Sequence, residues 1–231
     1  MPKQEAKPIV TQNQGGYEYS VTYLPVDKAR KVLRFSDKEI LHLSIAALLV
    51  TGVGLSLFGF QNILAADPVA LSIFVVALVV SFFAHEMAHK LTAQKRGLWA
   101  EFRLTLIGAA LTLLSTVAPF FKIISPGAVM VGGMAGSESI GRISIAGPIT
   151  NIALSTVFML AAAVAPQGTS TAWVLMLCAG FNAWIALFNL IPFGMLDGFK
   201  VFLWNKAIWA LVFTASIVLT AISYGFILSN A

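Results

Sequence analysis

The stretch that decides how this chain is read is Val69-Ala70-Leu71-Ser72-Ile73-Phe74-Val75-Val76-Ala77-Leu78-Val79-Val80-Ser81-Phe82-Phe83-Ala84-His85-Glu86-Met87-Ala88-His89-Lys90. Its apolar part has the length of a bilayer crossing, which takes about 20 residues of helix. It then ends in charge. His85 and His89 stand at i and i+4, on one face of a helix, so both imidazoles can reach a single metal ion. Glu86 sits beside them and can take a proton from water at such a metal. Ionisable side chains inside a span are costly and mark function by default.

The whole chain agrees with a membrane setting. Of 231 residues, 58% are hydrophobic and 11% charged, with a mean hydropathy of +0.85. A soluble domain carries roughly a quarter charged residues, so this chain lacks the charge to coat a globule. An ordinary cytosolic enzyme, a disordered protein and a nucleic-acid-binding domain are excluded. The pI near 9.5 rests on only 15 Lys+Arg against 10 Asp+Glu, and where those charges sit matters more than their sum. A single cysteine, Cys178, excludes a disulfide framework and a Cys-based zinc site and reads as core packing.

Five stretches are long enough to cross a bilayer, roughly 40–61, 69–93, 143–166, 172–195 and 205–228. A sixth, 104–121, is shorter and carries Gly108, Ser115 and Pro119. Residues 1–38 are polar and basic with a weak strand alternation at Tyr17, Tyr19, Val21 and Tyr23, and no signal-peptide pattern. Ser36-x-x-Glu39 is a capping-box pattern that starts a helix near Asp37. The expected organisation is a short N-terminal segment, 1–38, followed by one membrane-embedded domain, 39–231, with its core at 69–200. The fold class is an all-α polytopic membrane protein with five transmembrane helices.

Two histidines leave a catalytic zinc one protein ligand short. Among the acids in or next to spans are Asp67, Glu101, Glu138 and Asp197. Asp197 stands out, because it closes Asn189-Leu190-Ile191-Pro192-Phe193-Gly194-Met195-Leu196-Asp197-Gly198. Pro192 and Gly194 break the helix there, and a broken helix at membrane depth is tolerated where it lines a cavity.

His85-Glu86-Met87-Ala88-His89, the later N-x-x-P-x-x-x-L-D-G motif, and Gly147-Pro148-Ile149-Thr150-Asn151 between them together resemble the site-2 protease family of intramembrane zinc metalloproteases. The likeness covers about residues 69–200. It implies Zn2+ held by His85, His89 and Asp197, with Glu86 as general base. It also implies Asn151 and Asn189 as contacts to substrate backbone or oxyanion. The implied substrates are single-span membrane proteins, trimmed first by another protease. Met195 and Phe199 depart from residues common in relatives, at positions that touch no implied ligand. A zinc peptidase of another membrane family, and a non-catalytic metal-binding or transport protein, are the rival readings.

If the three motifs share one metal, they lie on one side of the membrane. Span 143–166 then starts from the side where 69–93 ends, 172–195 returns to it and 205–228 leaves it. So 104–121 cannot be a single crossing: it re-enters or lies in the interface. On this topology all 15 Lys+Arg share the side of the metal motifs, and the positive-inside rule makes that side, with the N-terminus, cytosolic. The Gly-rich segment Ser125–Gly133 has a β-prone core. The resemblance implies a membrane-embedded β element between the first two motifs, with 126–133 the candidate, able to pair with unwound substrate. Lys90, Lys95, Arg96 and Arg103 are expected to meet anionic headgroups. Trp99, Trp173 and Trp204 read as interfacial anchors, and His42 as an interfacial residue.

Overall fold

The computed structural model describes residues 33–58, 67–118 and 122–229. The alternating segment at 17–23 and nearly all of the 62–68 turn lie outside these residues. Five helices are long and apolar enough to cross a membrane: α1 (Asp37–Phe58), α2 (Pro68–Lys95), α4 (Ser137–Val164), α5 (Ser170–Asn189) and α7 (Lys206–Ser229). Between α2 and α4 lie β1 (Trp99–Leu104), the shorter α3 (Leu106–Val117) and β2 (Gly127–Gly132). An eight-residue helix, α6 (Asp197–Trp204), separates α5 from α7. The expected polytopic all-α architecture with a small β element is therefore present.

Local chemistry explains the boundaries. Asp67 caps α2 by accepting from the Val69 N–H, and Pro68 takes the first helical position, where no N–H is needed. Ser36 caps α1 by accepting from the Glu39 N–H. Only half of a capping box forms, because the Glu39 carboxylate is used elsewhere. α5 stops at Asn189, six residues before the end of its apolar run. Pro192 and Gly194, the latter at φ +58, turn the chain so that Asp197 opens α6.

α4 and α5 pack side by side at the centre, with α2 against both and α7 against α5. The largest core cluster joins Leu43, Ala46 and Val50 of α1 to Phe74, Leu78 and Phe82 of α2, Phe102 of β1, and Val174, Cys178 and Phe181 of α5. Trp204 is not simply a membrane anchor: its ring covers α4 at Gly141 and lies under the Arg142 guanidinium, 5.5 Å from its centroid.

Residues 104–118 and 122–126 form a re-entrant hairpin. Thr105 caps α3 by accepting from the Gly108 N–H, and α3 descends alongside α1. The chain returns in extended form, with the Ile123 N–H donating to Ser115 Oγ and the Ser125 N–H to Thr112 Oγ1. The Thr105 N–H to Pro126 carbonyl bond closes the loop at its origin. The depth can be read against α1. Leu104 meets His42 near the start of α1, whereas the Lys122 ammonium donates to Ser56 Oγ near its end. At 1.5 Å per residue, 14 residues of helix amount to about 21 Å, most of a hydrocarbon core about 30 Å thick.

That depth bears on the expected charge distribution. The Lys122 ammonium stands about 21 Å along α1 from the level of His42, where it caps α3 through the Ser115 and Ala118 carbonyls. Lys90 is also displaced from its expected place among headgroups. It is fully buried, 2.6 Å from Glu39, and donates to the Arg34 carbonyl as well.

β1 and β2 pair antiparallel, from Trp99 opposite Gly132 to Leu104 opposite Gly127. The β element expected at 126–133 thus exists, and β1 is its partner strand. The outer edge of β1 is closed by side chains of α1: the Phe102 N–H donates to Glu39 Oε1 and the Leu104 N–H to His42 Nδ1. Among the described residues, nothing beyond β1 hydrogen-bonds to the backbone of Val129 or Val131 on β2.

Candidate metal centre

The centre forms where α2 and α4 cross antiparallel. Three positions of α4 spaced by four residues, Ile143, Gly147 and Asn151, face the two histidines of α2. The His89 Nδ1–H donates to the Ile143 carbonyl at 2.7 Å, which leaves its Nε2 with a free lone pair. His85 Nδ1 lies 2.5 Å from Asn151 Oδ1. Between them Gly147 supplies bare backbone. A Cβ there would stand 2.3 Å from His89 Nε2 and 2.7 Å from His85 Nε2, so only glycine leaves the cradle open.

α6 brings the third group. Asp197 Oδ2 lies 3.0 Å from His89 Nε2 and 3.7 Å from His85 Nε2, and the two Nε2 atoms are 3.0 Å apart. Ligands about 2.0–2.1 Å from a tetrahedral zinc are separated by about 3.3 Å, so the spacing fits such an ion. The donor set, two imidazoles and a carboxylate, also suits zinc. All three residues are largely buried, with Asp197 at 14% side-chain exposure the most open.

Glu86 completes the arrangement. It is buried in the same centre, and among the described residues its Oε2 has no hydrogen-bond partner. An orphaned buried carboxylate oxygen is costly unless something polar visits it. Beside three converging acceptors, it marks the place of a cation and a water-derived reactant.

Comparison with known proteins agrees with this geometry. The chain is 32% identical over 185 residues to "Putative zinc metalloprotease MJ0611" of Methanocaldococcus jannaschii, covering 78% of this chain and 92% of that protein. The chain belongs to this zinc metalloprotease family. It is also 34% identical over 142 residues to "Putative zinc metalloprotease Rip3" of Mycobacterium tuberculosis, covering 57% of this chain and 31% of Rip3. No protein-family model matches the metalloprotease, and no solved structure matches it.

Of the site residues named from sequence, the metalloprotease brings His85, His89, Asp197 and Asn151 into one contiguous cluster. Asn151 is fully buried and spends both ends of its amide internally, on His85 and on Asn182. Asn189 is buried too, and its Nδ2 donates to the Ile185 carbonyl of its own helix. Sequence reading missed Asn182, which is fully buried and bonded to Ser81 Oγ and the Cys178 carbonyl. The available signal was an uncharged polar residue in the middle of an apolar run.

Proposed function

We propose that the chain is an intramembrane zinc endopeptidase of the site-2 protease type, cleaving peptide bonds in or near the spans of single-span membrane proteins. The observation that carries this is the convergence of His85, His89 and Asp197, ligand atoms within 4.8 Å of one another, beside the orphaned carboxylate of Glu86. Zinc, when bound by these three residues, supplies a Lewis acid that polarises the scissile carbonyl and acidifies water.

The chain's own groups do the rest. Glu86 accepts the proton of the attacking water at Oε2, and returns it to the departing amine nitrogen. With Asn151 committed to His85, Asn189 is the remaining side-chain amide to steady the substrate. A transmembrane helix must be unwound before it can be cut, which exposes its backbone groups in an apolar medium. The outer edge of β2 compensates them by pairing with the extended segment. Glu39 and His42 occupy the corresponding edge of β1, so β2 is the edge left to substrate.

Fourteen of the 15 Lys+Arg, all but Lys122, fall on the side of the metal motifs when the sequence is laid over this topology. The charge bias supports a cytosolic active site and N-terminus. Comparative membrane proteomics of cells carrying wild type or Glu86→Gln tests the reading. Single-span proteins, or their membrane-bound remnants, should accumulate in the variant; identical membrane proteomes would overturn it.

A further inference from the structure

A chain of side-chain amides leads away from the metal centre to a backbone carbonyl, and its polarity can be worked out from that end. The Cys178 carbonyl can only accept, so the Asn182 group 2.9 Å from it is the NH2, which also donates to Ser81 Oγ at 2.9 Å. Asn182 Oδ1 is thereby turned toward Asn151 and accepts from its Nδ2 at 2.9 Å. With its NH2 spent, Asn151 can present only Oδ1 to His85, and His85 Nδ1 must carry the proton. The lone pair of His85 then resides on Nε2, the atom that faces His89 and Asp197.

We propose that Asn182 is a positioning residue for the metal: it fixes the orientation of the Asn151 amide and through it the tautomer of His85. His89 needs no such relay, because its Nδ1 donates directly to the Ile143 carbonyl. Asn151 differs, because an amide can turn over and offer NH2 where it offered oxygen. Turned over, it would stabilise His85 with its proton on Nε2 and remove one of the three lone pairs. Asn182 and Ser81 are wholly buried, 0% and 1% exposed, so no water replaces the anchor. Outer partners of metal-ligating histidines are worth roughly 10–100-fold in metal affinity. This inference rests on His85 being a zinc ligand.

The test compares wild type, Asn182→Leu and Asn182→Asp by zinc titration of the metal-free protein and by imidazole nitrogen NMR. Asn182→Leu should bind zinc on the order of 10–100-fold more weakly, with a His85 population protonated on Nε2. Asn182→Asp, whose carboxyl still accepts from Asn151 and when protonated still donates to Cys178, should stay near wild type. Thermal unfolding of the metal-free forms separates affinity from folding. If Asn182→Leu fails to fold, the spectrum of metal-free wild type decides: His85 must carry its proton on Nδ1, and a proton on Nε2 overturns the inference. Unchanged zinc affinity in a folded Asn182→Leu overturns it as well. Should His85→Ala bind zinc as tightly as wild type, the proposed metal site itself falls.

Discussion

The metal centre and the re-entrant unit of α1, β1, α3 and β2 both bury polar and charged side chains, and they differ in how those groups are satisfied. In the re-entrant unit and its contact with α2, every buried charge among the described residues has its own partner. Lys90 has Glu39, Glu39 also holds the Phe102 N–H, and Lys122 sits on three oxygens at the end of α3. In the metal centre, three acceptors point at one another and a carboxylate oxygen has no partner among the described residues. Satisfied groups of this kind hold a structure together, whereas groups that only a cation and a reactant would satisfy serve a reaction.

The contrast can be broken from either side. The largest effect is expected from Asp197→Ala. Loss of a ligand should remove stoichiometric zinc and cut cleavage at least ~1,000-fold, while the metal-free protein unfolds at wild-type temperature or above, since a cluster of acceptors has been relieved. Metal analysis alongside thermal unfolding checks this. Zinc retained at one per chain would move the third ligand elsewhere.

Glu39→Gln should do the reverse. It strands Lys90 as an uncompensated buried charge, and breaking such a pair costs about 3–5 kcal/mol. Denaturant or thermal unfolding should register the loss, while the fraction that stays folded keeps its zinc. An unchanged midpoint would mean that Lys90 finds another anion.

A smaller loss is expected from Lys122→Met, which preserves the stem but leaves the Ser115 and Ala118 carbonyls without their cap. Unsatisfied groups of this sort cost about 1–3 kcal/mol. Cysteine accessibility scanning along 112–118 should show a loosened hairpin tip; protection equal to wild type would deny Lys122 its capping role.

The same contrast explains what could be read from the sequence. The residues of the metal centre sit in short spacings that helices turn into faces: His85 and His89 four apart, Gly147 and Asn151 four apart, Asp197 just past a helix-breaking Pro192. The crossings follow from apolar length. The re-entrant unit depends on meetings between distant residues, such as Glu39 with Lys90, 51 positions on, or Lys122 with Ser56, 66 positions back. No local pattern announces them. Local pattern alone therefore places Lys90 and Lys122 among solvent-side or headgroup charges. β1, with Glu101 and Arg103 alternating with the buried Ala100 and Phe102, carries a period-2 signal over only six residues, too short to announce a strand. Asn151 is legible as a functional residue, and its bonds to His85 and Asn182 emerge only in the fold.

The proposed catalysis turns on Glu86 acting as a base beside a zinc that it does not hold. The direct measurement is cleavage of a reconstituted single-span substrate by purified, zinc-analysed Glu86→Gln and wild type. One zinc per chain in both, with cleavage lost only in the variant, is the predicted result. Cleavage at the wild-type rate by zinc-loaded Glu86→Gln would contradict it.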